Sequence, residues 1–116
     1  MKMIIAIIRP DRLEAVQDEL RAILDEHDNY RLTVHAVEGH GAQRGEVEYF
    51  RGSQVRPRLI PKLQVTLAVN DQYAEPAIAA IIRGARTGSV GDGKIFVLPL
   101  EMCVRIRTGE RGGSAV

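Results

Sequence analysis

The sequence has few of the residues that disulfide-bonded, metal-clustered or membrane-spanning proteins need. Cys103 is the only cysteine among 116 residues, so neither an internal disulfide nor a multi-cysteine metal cluster can form. No apolar run is longer than that from Met3 to Ile8, which is too short for a signal core or a membrane span. We therefore expect a cytoplasmic protein that meets a membrane only through a partner.

Low net charge and a low aromatic content disfavour two further classes. Sixteen Lys and Arg against fifteen Asp and Glu leave a net charge of +1, so no overall field draws the chain to nucleic acid, and any anion site must be local. Two Phe, three Tyr and no Trp provide few rings for base stacking, which disfavours single-strand RNA binding.

Hydrophobic periodicity indicates a single α+β domain over residues 1–116. The predicted elements are strands at Lys2–Arg9, Arg31–Glu38, Leu63–Val69, Ile95–Leu98 and Met102–Ile106, and helices from about Arg12 to Glu26 and from Asn70 or Asp71 to Gly88. Asp11 and Glu14 have the spacing of a capping box, and Pro76 is expected in the first turn of the second helix. The order predicts a ferredoxin-like βαββαβ sandwich, with one antiparallel sheet and both helices on one face.

Two segments have no clear periodic pattern. The first is a long mobile loop predicted at about 41–62, in which Glu46 to Phe50 could form an extended arm. Connections of this length within a small domain are usually functional. The second is a glycine-containing tail predicted at about 108–116.

The segment from Thr87 to Lys94 is the best candidate for an anion site. Its three glycines allow backbone N–H groups to turn towards an anion, and Lys94 adds a positive charge. Gly88 to Lys94 has the spacing of a P-loop, but Ile95 stands where that motif needs Ser or Thr, and a helix precedes it where the motif needs a strand.

Arg105 and Arg107 are predicted to lie on one face of the last strand, where both could clamp phosphate oxygens together with Lys94. The alternative is that these arginines solvate an exposed sheet face or pair with acidic neighbours. No nucleophile lies beside a base and there is no carboxylate pair, so a phosphate-ester hydrolase is a distant alternative and we expect no enzyme.

Thr87 to Val97 and Arg105 to Glu110, with the opening Ile7 to Pro10 and the segment Leu59 to Lys62, resemble the signature segments of the P-II nitrogen-regulatory family. This resemblance implies a homotrimer with ATP or ADP in the clefts between subunits, often with magnesium and 2-oxoglutarate. The implied nucleotide contacts are Thr33, Gly41, Gln43, Thr87, Gly91, Asp92, Gly93, Lys94, Arg105 and Arg107. The implied 2-oxoglutarate contacts are Gln43, Lys62 and Lys94, and Gln43 also contacts magnesium.

The resemblance also implies a partner protein that is regulated through the long loop, such as an ammonium channel, another transporter or a nitrogen-metabolism enzyme. Arg51 matches the residue that plugs an ammonium channel in family members acting on such channels. Val55 stands at the family's uridylylated tyrosine and has no hydroxyl, while Ser53 is a candidate for phosphorylation. Ala42 and Thr66 depart from the family's arginine and glutamate, which favours a different effector as the alternative. The basic Arg56-Pro57-Arg58 in the loop favours a different, non-nitrogen partner as the alternative.

Overall fold

The computed structural model describes residues 1–24, 32–40 and 59–116, and the backbone of 48–50 and 53–55. Its elements are β1 (Lys2–Ile8), α1 (Leu13–Ile23), β2 (Thr33–Gly39), β3 (Glu48–Phe50), β4 (Ser53–Val55), β5 (Ile60–Val69), α2 (Asp71–Ala85) and β6 (Lys94–Pro99). Among the described residues, 3-10 turns lie at Pro10–Arg12 and Gly113–Ala115.

Four of the strands form one antiparallel sheet in the order β2-β5-β1-β6, and β3 pairs with β4 in a separate hairpin. Without that hairpin the order is that of a ferredoxin-like βαββαβ domain, so the predicted fold is confirmed. Both helices are long enough for several turns, and no helix among the described residues is long and apolar enough to cross a membrane.

The core lies between the two helices and one face of the sheet. Because side chains alternate along a strand, β1 and β5 each present every second residue to the helices. These residues are almost fully buried: Ile4, Ala6, Ile8, Val65, Leu67 and Val69 from the strands, with Val16, Leu20, Ala77 and Ile81 from the helices. The opposite face, which we call the open face, carries Met3, Ile5 and Ile7 of β1 and Phe96 and Leu98 of β6.

The helices approach each other closely at Gly84. A Cβ atom added there would lie 2.6 Å from the Cα atom of Val16, so the two backbones are in contact. Arg12 supports the same region, since its Nε donates to the carbonyl oxygen of Gly84 at 2.8 Å.

Several predicted helix ends need correction. The capping box at Asp11 is not formed, because a 3-10 turn occupies Pro10–Arg12 and Arg12 is the N-cap of α1. The helix ends at Ile23, short of the predicted Glu26. Asn70 is the N-cap of α2, as one of the two predicted positions, and α2 ends at Ala85 instead of Gly88.

Pro76 lies inside α2 and beyond its first turn, contrary to the prediction. A proline there lacks the N–H that would bond to the carbonyl of Gln72. Both residues are exposed, so water can solvate that carbonyl and the helix continues through the proline.

Two further segments differ from the sequence-based expectation. The predicted loop at 41–62 contains the hairpin β3–β4, and its last residues belong to β5. Met102–Ile106 does not form a strand, and a single bridge joins Val104 to Arg111. Gly109 and Gly112, both with positive φ, turn the chain back on itself.

Residues 100–116, which we call the C-terminal arm, pack against the domain instead of forming a free tail. The side-chain amide of Asn70 donates to the carbonyl oxygen of Gly113 at 3.1 Å, so this side chain does not cap α2. The half-buried thiol of Cys103 contacts the carbonyl oxygen of Ala115 at 3.5 Å. Cys103 therefore helps to hold the arm closed.

Candidate functional site

The sheet register places polar and basic side chains in one row across the open face. Ile7 of β1 pairs with Gln64 of β5 and with Lys94 of β6, and Gln64 pairs with His35 of β2. Lys62 lies on the same face as Gln64, two residues earlier along β5. Two lysines from different strands therefore reach the same end of the open face.

The predicted anion segment, residues 87–94, forms a tight loop between α2 and β6, which we call the glycine loop. Gly88, Gly91 and Gly93 all have positive φ, of 88°, 101° and 105°, a region that residues with a Cβ atom rarely adopt. At Gly93 an added Cβ atom would also collide with the carbonyl oxygen of Ile7. The glycine loop can pass this close to β1 only because Gly93 has no side chain.

Asp92 organises the first half of the glycine loop. Its carboxylate accepts hydrogen bonds from the hydroxyl of Thr87, from the backbone N–H of Thr87 at 2.8 Å and from that of Gly88 at 2.9 Å. The Nε of Arg9 donates to it at 3.0 Å. These donors, first of all the Thr87 hydroxyl, hold the pKa of Asp92 well below its ordinary value.

Thr87 and Asp92, both expected to contact nucleotide, are thus occupied with each other. Because the N–H of Ser89 also bonds within the loop, to the Thr87 hydroxyl, the amides of 87–89 point inwards. In this structure Asp92 therefore shapes the loop.

The second half of the glycine loop is held through its carbonyl groups. Arg9 donates from Nη2 to the carbonyl oxygen of Val90 at 2.7 Å, and the ammonium of Lys62 donates to that of Gly91 at 2.6 Å. Within the described part of the chain, the backbone N–H groups of Gly91 and Gly93 have no acceptor. Two carbonyl groups of the loop are therefore bound, and two of its N–H groups are available.

Gly91 and Gly93 both line a cleft of about 590 Å³ on the open face. The cleft is lined by the two glycines and by the polar side chains of Lys94, Lys62, Gln64 and His40. Apolar side chains also line it, among them Ile7, Val37 and Phe96. The volume is in the range of small-molecule sites, about 300–1,000 Å³. Free backbone donors beside two lysines suit a small polyanion with an apolar portion.

Arg105 and Arg107 do not line this cleft in the single chain. Arg105 forms an ion pair with Glu110, with 2.7 Å between Nη1 and Oε2, and donates from Nη2 to the carbonyl oxygen of Ser114 at 3.1 Å. The sequence-based alternative, pairing with an acidic neighbour, is thus what Arg105 does here. The premise that both arginines share a strand face is wrong, because no strand forms there.

Thr33 is also distant from the cleft. It begins β2 and pairs with Thr66, whereas the cleft is lined by the other end of β2, from Val37. Val37 is four positions further along the strand than Thr33, about 13 Å at a rise of about 3.3 Å per residue.

The remaining predicted residues are described less fully or not at all. Gly41, Gln43 and Arg51 lie outside the described residues, and Ser53 and Val55 are the ends of β4, described as backbone only. No group of three or more His, Cys, Asp or Glu side chains among the described residues could hold a metal ion.

Sequence reasoning missed Arg9, Gln64 and Phe96 as residues at this site. Each is assigned by the register or by a contact across the fold, and Arg9 lies 83 residues from Asp92 along the chain. The one signal available was the position of Arg9 directly after β1 and before Pro10.

The fold and the site together define a small ferredoxin-like domain with a glycine loop suited to anions, and comparison with known proteins agrees. The family model "Nitrogen regulatory protein P-II" matches residues 1–110. The nitrogen regulatory protein GlnK1 of Methanosarcina mazei is 49% identical over 118 residues, which span 100% of this chain and 97% of that protein. The nitrogen regulatory protein P-II of Rhodospirillum rubrum is 44% identical over 116 residues, with both chains fully covered.

A solved structure gives the same result. The crystal structure of Arabidopsis thaliana PII bound to citrate superposes with a TM-score of 0.79 at 36% identity, covering 99% of this chain and 91% of that one. The chain belongs to the P-II nitrogen regulatory protein family. The relatives named above are regulatory proteins, which agrees with the expectation that this chain is not an enzyme.

Proposed function

We propose that this protein is a P-II signalling protein that binds ATP or ADP in the cleft on the open face and regulates a partner protein in the cytoplasm. The observation that carries the proposal is the glycine loop, where the free N–H groups of Gly91 and Gly93 lie beside Lys94 and Lys62. Polyphosphate is the ligand class that such donors and cations stabilise best.

The cleft also fits the remainder of a nucleotide. Ile7, Val37 and Phe96 provide apolar surface for a base, while Gln64 and His40 offer polar groups at the same cleft. Phe96 is half-exposed and lies in the strand that follows the glycine loop. That the Arabidopsis relative binds citrate, a tricarboxylate, supports a small polyanion as ligand in this family.

A homotrimer would complete the site. Arg105, Arg107 and Thr33 lie away from the cleft of their own chain, and both described helices pack on the other face of the sheet, which leaves the apolar side chains of β1 and β6 on the open face uncovered by them. We assign these three residues to the cleft of a neighbouring copy, where the arginines add positive charge to the phosphates. For Arg105 this requires the polyphosphate to displace Glu110 from the guanidinium.

2-Oxoglutarate is proposed as a second ligand beside magnesium and ATP, contacted by Lys62, Lys94 and Gln43, with Gln43 also contacting the metal. Lys62 is occupied by the carbonyl oxygen of Gly91. Its ammonium must therefore leave this carbonyl to bind the ligand's carboxylate. Lys62 lies three residues after Leu59, close in sequence to the end of the segment 41–58. A movement of Lys62 would therefore change the position of that end of the segment.

The partner is proposed to bind the segment 41–58, through residues that include Arg51, Ser53 and Val55. An ammonium channel, another transporter or a nitrogen-metabolism enzyme are the candidate partners. Signalling requires that the ligand bind one conformer of this segment more tightly than another. The second candidate is a P-II paralogue with a different effector, which Ala42 and Thr66 favour, and with a non-nitrogen partner, which the basic sequence at 56–58 favours.

Isothermal titration calorimetry with ATP, ADP and AMP, each with and without magnesium and 2-oxoglutarate, tests the ligand. We expect ATP or ADP to bind, and Lys94→Ala to weaken binding by at least about tenfold, because a charge-assisted contact to phosphate is lost. Lys2→Ala is the control, since Lys2 lies at the other end of β1 from Ile7. Absence of nucleotide binding, or equal effects of the two substitutions, would refute the proposed site.

A further inference from the structure

Arg9 connects the end of β1 to the glycine loop by two hydrogen bonds. It follows β1 in extended backbone conformation, directly before Pro10, and its side chain is largely buried, with 29% exposed. Nε reaches the carboxylate of Asp92 at 3.0 Å and Nη2 reaches the carbonyl oxygen of Val90 at 2.7 Å. One rigid, planar guanidinium therefore fixes two positions of the loop at once.

Between those two positions lies Gly91, whose carbonyl is held by Lys62. Three successive residues, 90 to 92, thus each have an acceptor bound to a cation that is anchored on the sheet. Because the N–H and C=O groups of one peptide unit point in opposite directions, fixing the Val90 carbonyl also fixes the direction of the Gly91 N–H. Holding the Asp92 side chain restrains the residue that directly precedes the Gly93 N–H. Without Arg9, two of the three anchors would be lost.

We propose that Arg9 is a positioning residue for the anion site: it orients the glycine loop so that the Gly91 and Gly93 N–H groups face the cleft before a ligand arrives. This inference rests on the proposed function. Arg9 does not line the cleft, and its Nε and Nη2 donors are taken by the loop. Its effect on affinity is therefore indirect, through a loop that needs no reordering when the anion binds.

Arg12 provides a matched control for this role. It lies three residues from Arg9, and its Nε also donates to a backbone carbonyl, that of Gly84, at 2.8 Å. That bond holds the end of α2 and not the glycine loop. Loss of either arginine removes a partly buried charge-assisted hydrogen bond, so both substitutions are expected to lower thermal stability.

The experiment measures backbone amide order parameters by NMR in the ligand-free variants Arg9→Ala, Arg9→Lys and Arg12→Ala. In the wild type we expect rigid values of about 0.85 at Gly91 and Gly93, and in Arg9→Ala values below about 0.6. Arg9→Lys should lie between, because one ammonium cannot hold both acceptors in the geometry of a guanidinium. Arg12→Ala should keep the wild-type values at both glycines.

ATP affinity is then measured by calorimetry on the same four proteins. Arg9→Ala should bind ATP at least about tenfold more weakly, the loss typical of removing a residue that supports a binding group, and Arg12→Ala should bind like the wild type. The inference is overturned if Gly91 and Gly93 stay rigid in Arg9→Ala, or if Arg12→Ala loosens them equally. Failure of the wild type to bind ATP would instead refute the proposed function, because the order parameters test Arg9 without any ligand.

Discussion

The carboxylate of Asp92 gathers four hydrogen bonds from Thr87, Gly88 and Arg9 into one loop. All four donors favour the charged form and so lower its pKa below the ordinary value of 3.8. Such a carboxylate stabilises the folded state above its unfolded pKa, and the stabilisation is lost as pH falls towards the lower folded value. The structure therefore predicts an acid-sensitive loop.

Asp92→Asn tests this prediction. We expect the variant to melt at a lower temperature than the wild type near neutral pH, because a neutral amide cannot accept all four bonds and loses the attraction to Arg9. The difference should shrink as pH falls below about 4, where the unfolded wild-type carboxyl takes up its proton. Thermal unfolding followed by circular dichroism between about pH 7 and pH 3 measures this. A difference that stays constant over the range would contradict it.

Gly93→Ala should be more damaging than Gly88→Ala. Both glycines have positive φ, of 105° and 88°, so both substitutions carry the left-handed penalty of about 1–2 kcal/mol. At Gly88 no atom lies within 4 Å of the added Cβ, whereas at Gly93 it collides with the carbonyl oxygen of Ile7. Denaturant unfolding measures the free energy of unfolding of both variants, and the difference between them is the cost of the collision. Equal losses of stability would show that the loop can move away from β1.

The site residues that sequence reasoning found are those whose chemistry is local. Gly91, Gly93 and Lys94 stand within four positions, and their composition alone indicates an anion loop. The contacts of Arg9 and Lys62 could not be predicted, because they depend on strand register and on a close approach between distant segments. The prediction that Arg105 lies at the anion site of its own chain was wrong, because Glu110, five residues later, binds its guanidinium.

Among the secondary-structure elements, the contact between α1 and α2 is set by Gly84. Intrinsic helix propensity alone predicts that Gly84→Ala would stabilise α2 by up to about 1 kcal/mol. The structure predicts the opposite sign, because the new methyl group would lie 2.6 Å from the Val16 Cα. Forcing the helices apart should cost about 1–3 kcal/mol. Urea unfolding decides between the two signs, and a stabilised variant would mean that the helices separate freely.

Elements with a repeating pattern could be predicted, and those without one could not. β2 and β5 follow from alternation, β1 and β6 from short apolar runs, and both helices from helical spacing, although their ends shift by a few residues. The hairpin β3–β4 has three residues per strand, too few for a periodic signal. The C-terminal arm alternates Met102, Val104 and Ile106 like a strand, but the Gly112 and Arg105 amides pair within the arm instead, with Cys103 and Glu110.

At the scale of the whole molecule, a single chain leaves large apolar side chains of the open face exposed to solvent. Phe96 and Leu98 are 50% and 44% exposed on β6, beside Met3 and Ile5 of β1. A contiguous apolar face on a small soluble domain usually marks an interface. A homotrimer assembled through this face would bury it.

Leu98→Glu should therefore disrupt assembly, because a carboxylate would be buried between copies without a partner. Val97→Glu is the matched control, since Val97 is the adjacent residue, is 42% exposed and pairs with Ile4 on the helix side of the sheet. Size-exclusion chromatography with light scattering should show a trimer for the wild type and for Val97→Glu, and smaller species for Leu98→Glu. Trimers from both variants would place the interface elsewhere.

The position of the cleft on the open face also makes protein concentration an experimental variable. A neighbouring copy bound to that face would cover the cleft. Ligand binding and subunit association must then influence each other's equilibrium. Serial dilution should then weaken the apparent affinity for the ligand, and saturating ligand should delay the dissociation of subunits. Binding constants obtained at nanomolar and at micromolar protein would differ even though every copy has the same sequence.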